Sequence, residues 1–115
     1  MRVDRQVAEP WTEAVRATMR DMLEKGETDV TVAAIAGKMG TGARTLQRRL
    51  AEHGSGFNGL LESVRRDIAL AALRNGGISM AELSRQLGYR RQSALTRAVR
   101  RWTGLAPTQF RRNGD

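Results

Sequence analysis

Apolar residues recur along this chain at the spacing of an α-helix, and no stretch shows the alternation of a strand. Trp11, Ala14, Val15, Thr18, Met19, Met22 and Leu23 follow i, i+3, i+4, i+7, i+8, i+11 and i+12, one seam of a helix expected from about Glu9 to Lys25. Pro10 suits its first turn and Gly26 the position just past its end. Thr31 is a fitting N-cap for a second helix through VAAIAGKM, closed by Gly40. A third covers RTLQRRLAEH as far as Gly54, with Leu46 and Leu50 inward and Arg44, Gln47 and Arg48 outward. The fourth, Phe57 to about Asn75, has a broad face of Phe57, Leu60, Leu61, Val64, Ile68, Ala71 and Ala72. Leu70 and Leu73 widen that face toward a second side. Ser79 and Glu82 form a capping box at the start of the fifth. In the sixth, Leu95, Ala98, Val99 and Trp102 make an apolar stripe, while Gln92, Ser93, Thr96, Arg97 and Arg100 share the other side without an acid. A short last helix, about Pro107 to Arg112, turns Phe110 inward. The fold class expected is all-α, about seven helices.

Part of this pattern occurs twice. TVAAIAGKMG at 31–40 aligns with SMAELSRQLG at 79–88, an offset of 48. Each copy has a hydroxyl cap, a large apolar residue (Ile35, Leu83), a small one (Ala36, Ser84), another apolar residue and a glycine. Those are the needs of a helix-turn-helix: the small residue lets the second helix cross closely, and glycine permits the turn. With one extra residue in the second turn, LQRRL at 46–50 aligns with LTRAV at 95–99. The organisation expected is therefore an arm or interdomain linker at 1–8 and one domain at 9–115. Within it lie helix-turn-helix units at about 31–54 and 79–104, joined by a linker helix at about 57–75.

Composition narrows the function. There is no cysteine and one histidine, His53, so no disulfide framework, thiolate metal site, histidine cluster or conventional triad is available. The sequence offers no nucleophile–base pair either, and it reads as a non-enzyme with no cofactor. MRVDRQVAEP lacks the apolar core of a signal peptide and no window approaches a membrane span, which gives a cytoplasmic expectation. Charge points further. Twenty basic against 12 acidic residues give +8, and only Lys25 and Lys38 are lysine. Residues 85–115 hold eight arginines and one acid, Asp115, whereas residues 1–40 hold six basic and seven acidic groups. So lopsided a positive field attracts polyanions.

Arginine bridges O6 and N7 of guanine, and glutamine bridges N6 and N7 of adenine. Arg44, Gln47 and Arg48 in the first copy, and Gln92, Ser93, Thr96 and Arg97 in the second, are the candidate base contacts. Thr41, Thr45, Arg49, Arg90, Arg91, Arg100 and Arg111 are the candidate phosphate contacts. A fourth helix of 19 residues would span roughly 28 Å. If it sets the spacing, the two recognition helices stand about one DNA turn apart, near 34 Å, and enter successive major grooves of a bent site. The competing reading is a protein-interaction module, for example one that contacts RNA polymerase. RNA binding stands behind both, since aromatic residues for stacking are few.

The residues RTLQRRL (44–50), FNGLLESVR (57–65), AELSRQLGY (81–89), SALTRAVRRWTGLAP (93–107) and QFR (109–111) resemble the DNA-binding domain of the AraC/XylS family of bacterial transcription regulators. The resemblance covers about Val30 to Arg112. It implies seven helices, two helix-turn-helix units, binding to double-stranded promoter DNA and frequent recruitment of RNA polymerase. By position it places Arg44, Gln47, Arg48, Gln92, Ser93 and Arg97 at base-reading sites. The family often has aromatic residues where Leu95 and Val99 stand here. Most members also carry an N-terminal sensing and dimerising domain. This chain then reads as an excised C-terminal domain or a small single-domain regulator, monomeric as it stands and dimeric only through such a domain.

Overall fold

The computed structural model describes residues 10–113. Among them are seven helices and no strand: α1 Pro10–Glu24, α2 Val32–Met39, α3 Ala43–Glu52, α4 Phe57–Asn75, α5 Met80–Gln86, α6 Gln92–Thr103 and α7 Pro107–Asn113. The all-α expectation holds, with helix ends within a residue or two of those read from sequence. The arm at 1–8 and the first residue expected in α1, Glu9, lie outside the described residues.

Local chemistry sets the ends. The Thr31 hydroxyl accepts from Ala34 N–H at the start of α2. At α5 the capping box is complete: Ser79 accepts from Glu82 N–H, and the Glu82 carboxylate accepts from Ser79 N–H. The two turns repeat at the level of single hydrogen bonds. Thr41 N–H donates to Ala36 C=O and Tyr89 N–H to Ser84 C=O, each at 2.9 Å, across Gly40 (φ 73°) and Gly88 (φ 87°). Both are Schellman-type ends, in which a left-handed glycine lets the chain reverse onto its own last turn. N-caps at Gly42 and Arg91 confirm the one-residue insertion in the second turn.

α1, α2 and α3 form one unit, α5, α6 and α7 the other, and α4 packs on both through α1, α6 and α7. A single apolar cluster runs through them, with Val15, Met19, Leu23, Ile35, Leu46, Val64, Leu83, Leu87, Leu95 and Val99 fully buried. α1 and α4 lie parallel, since Arg16 donates to the Ser63 hydroxyl (2.7 Å) and Arg20 meets Asp67 (3.7 Å), a step of four on each helix. That register brings α1 to its end opposite Ala71, so Ala71 is exposed rather than part of the apolar face. Ala69 and Leu73 are buried in its stead. On α1 the seam is likewise rotated: Thr12 is buried and Ala14 is exposed. Among the described residues no helix is long and apolar enough to cross a membrane.

Candidate nucleic-acid interface

The second helix of each unit is held by one fully buried face. On α3, Leu46 and Leu50 are at most 1% exposed. On α6, Leu95, Ala98 and Val99 are equally closed. Such anchoring leaves the opposite face no freedom to turn away from solvent. That face carries Arg44, Gln47 and Arg48 on α3, and Gln92, Ser93 and Arg97 on α6, all exposed, with Thr96 half-buried beside them.

The charges on these faces are nearly unpaired. Among the described residues Arg44, Arg90, Arg91, Arg97 and Arg100 make no ion pair. Arg48 has one, with Glu52 at 4.0 Å, between side chains more than half exposed. A pair of that kind is worth little and gives way readily. Four acids are engaged elsewhere: Asp21 with Lys25, Glu24 and Asp67 with Arg20, and Glu27 with Lys38, all around α1 and its flanks.

Backbone donors add to the same side. α2 and α5 have side-chain caps, but Gly42 and Arg91, the N-caps of α3 and α6, make no side-chain capping bond. First-turn N–H groups of α3 and α6 therefore lack a side-chain acceptor. Thr41 and Thr45, half-buried, flank the α3 end, and Arg90 and Arg91 flank the α6 end.

Two of the arginines expected at phosphate are committed within the fold. The Arg49 guanidinium stacks over the Trp11 ring of α1, 5.1 Å from its centroid, while remaining exposed. Arg111 is turned inward: Nε donates to Leu73 C=O at 3.1 Å and Nη2 to Ile78 C=O at 3.4 Å. Leu73 lies in the last turn of α4, whose carbonyls lack helical donors, and Ile78 lies in the loop before α5; Arg111 supplies a donor to both. Arg111, expected at phosphate, thus spends part of its guanidinium on backbone carbonyls within the fold.

Glu62 and Arg65, both on α4, had not been singled out from sequence. Glu62 on α4 accepts from Arg101 Nη2 (2.6 Å) and Trp102 Nε1 (2.9 Å), tying the last turn of α6 to the linker helix. The bond from Arg101 holds the Glu62 carboxyl below its ordinary value, against the opposing effect of partial burial, and raises Arg101 in turn. Arg65 Nε donates to Leu87 C=O at 2.9 Å, with its guanidinium over the Tyr89 ring. Burial pushes the Tyr89 hydroxyl above its ordinary value, and that oxygen has no hydrogen-bond partner among the described residues. The absence of any acid on the outward face of α6 made that face conspicuous. A lone Glu or Arg within an amphipathic helix carries no such signal.

Two helix-turn-helix units, each presenting an arginine- and amide-bearing helix and sharing one linker helix, define a tandem helix-turn-helix domain. A family model described as a helix-turn-helix domain matches residues 35–113, and the chain belongs to that family, of the AraC type. It is 40% identical over 84 residues to an uncharacterised HTH-type transcriptional regulator of Mycobacterium tuberculosis, covering 73% of this chain and 24% of that protein. It is 39% identical over 103 residues to the HTH-type transcriptional regulator VirS of the same species, covering 90% and 30%. Among solved structures, the transcriptional regulator CdpR from Pseudomonas aeruginosa superposes with a TM-score of 0.68 at 32% identity, over 85% of this chain and 31% of that one. The C-terminal domain of AraT, a response regulator from Geobacillus stearothermophilus, shares the fold with a TM-score of 0.73 at 24% identity, over 91% and 86%. The chain thus spans about a quarter to a third of the length of the curated relatives it matches.

Proposed function

We propose that this chain binds double-stranded DNA by sequence and serves transcription regulation at bacterial promoters, with α3 and α6 entering two successive major grooves. The observation that carries the reading is the pairing of two rigidly anchored helices with outward faces rich in unpaired arginine and amide groups. On α3, Arg44, Gln47 and Arg48 read base edges; on α6, Gln92, Ser93, Thr96 and Arg97 do so. Arg90, Arg91 and Arg100, with the first-turn N–H groups and Thr41 and Thr45, hold phosphates. Arg49 reaches phosphate from its seat on Trp11. Principal extents of 40 × 35 × 20 Å accommodate two helices about 34 Å apart, one turn of DNA. Regulatory use is supported by the names of the relatives, and contact with RNA polymerase belongs to the same proposal without that support.

The test is selection of bound duplexes from a random pool at physiological salt, followed by Arg48→Ala and Arg97→Ala on the selected site. Each substitution should cost about 1–3 kcal/mol there and relax preference at one position, with little loss on random DNA. Equal losses on both DNAs, or no selected sequence, would overturn base reading and favour a protein-interaction module.

A further inference from the structure

The two turns of the repeat share a backbone conformation but not their surroundings. At Gly40 (φ 73°) an added Cβ would meet nothing within 4 Å. At Gly88 (φ 87°) it would stand 3.3 Å from Arg65 Nη2, 3.4 Å from Thr28 O and 3.6 Å from Thr28 Cβ. The turn itself needs a glycine only for its positive φ. The closeness at Gly88 therefore serves something other than the turn.

Thr28 lies between α1 and α2, in the first unit, whereas Gly88 lies between α5 and α6, in the second. One step away, Gln86 Nε2 donates to Leu23 C=O at 3.5 Å, again from second unit to first. Arg65 of α4 grips three consecutive residues of the same turn. It bonds Leu87 C=O, borders Gly88 and covers the Tyr89 ring. α1 is in turn fixed to α4 through Arg16–Ser63 and Arg20–Asp67. The turn thus packs against both the first unit and the linker helix.

We infer that Arg65, acting on the backbone around Gly88, is a positioning residue that fixes the second recognition helix relative to the first and so sets the half-site spacing the domain accepts. The inference rests on the two-groove reading. Its physical basis is that two linked readers gain from each other only when held at the separation of their sites. Sliding the second unit requires breaking the Arg65–Leu87 bond and opening the seam at Gly88.

The test compares wild type with Arg65→Met on three duplexes: the selected site, the site with one half scrambled, and the site with one base pair inserted between halves. Arg65→Met should bind the selected site about 10- to 100-fold more weakly and the half-scrambled site nearly as wild type does. It should also lose the wild-type penalty for the inserted base pair, with the salt slope unchanged. Equal weakening on all three, with a slope lower by about one unit, would make Arg65 a phosphate contact and overturn the inference. Should Arg65→Met lose the folded state, Arg65→Lys, which keeps charge but not the fork, carries the same comparison with a smaller shift. A second arm needs no DNA. The sequence has no cysteine, so Gln47→Cys and Gln92→Cys can be spin-labelled alone. Their distance distribution should be narrow in the wild-type background and broader or shifted with Arg65→Met or Arg65→Lys. An unchanged distribution sinks the junction whatever the DNA results, and failure to select any site sinks the two-groove reading while leaving the junction to this arm.

Discussion

Replacing Arg111 by methionine separates a structural arginine from a DNA-binding one. Methionine retains much of the aliphatic stem and deletes the guanidinium, so the loss is confined to the bonds to Leu73 C=O at 3.1 Å and Ile78 C=O at 3.4 Å. The first is a sound charge-assisted bond, worth about 1.5–3 kcal/mol when buried. The second is too long to add much. Arg111 is half-buried, so water replaces part of what is lost, and the net cost is about 1–2 kcal/mol. For a domain of this size that corresponds to a fall in Tm of about 4–12 °C. Thermal unfolding followed by circular dichroism measures it, and titration of a duplex at several salt concentrations measures the other half. The Tm should fall while the slope of log affinity against log salt keeps its wild-type value. An unchanged Tm with a slope lower by about one unit would show that Arg111 binds phosphate and that its bonds to Leu73 and Ile78 are incidental.

Three further outcomes follow from particular contacts. Gly40→Ala adds a Cβ in open space at φ 73°, so it should cost about 1–2 kcal/mol of unfolding free energy from backbone conformation alone. Gly88→Ala must also push the Arg65 guanidinium back by a few tenths of an ångström and should cost more; equal urea midpoints for the two would count against the packing described at Gly88. Glu62 is held below the ordinary carboxylate value chiefly by Arg101, so its folded state favours the ionised form. The resulting stability is present above the unfolded value and is lost as pH falls through the lowered folded value. Glu62→Gln should therefore narrow its deficit to wild type as urea melts are carried into that acidic range, and a constant deficit would contradict the assignment. Leu95→Ala, at a fully buried site, should cost about 2–5 kcal/mol and weaken binding through loss of the α6 seat, seen as a lowered urea midpoint.

Much of this was legible in one dimension because it depends on neighbours in sequence. The caps at Thr31 and Ser79, the glycine stops and the 48-residue repeat all follow from local backbone chemistry, and the structure reproduces them bond for bond in the two turns. Helical period alone assigned the inward leucines of α3 and α6. It misplaced Ala14 and Ala71, because small side chains report the period poorly and the parallel register of α1 on α4 decides which of them is covered. The roles of Arg111, Arg65 and Glu62 lay beyond it. Each depends on partners 22 to 40 residues away, brought close only by how the helices cross. Arginine count likewise could not tell a free guanidinium from one spent on a carbonyl.

The most direct measurement is a hydroxyl-radical footprint of the bound protein on a selected duplex, at base-pair resolution on both strands. Two helices in successive grooves predict two protected segments on one face of the duplex, about one helical turn apart. Arg48→Ala should thin one segment and Arg97→Ala the other. A single protected segment, or diffuse protection that neither substitution localises, would contradict two-groove reading by α3 and α6.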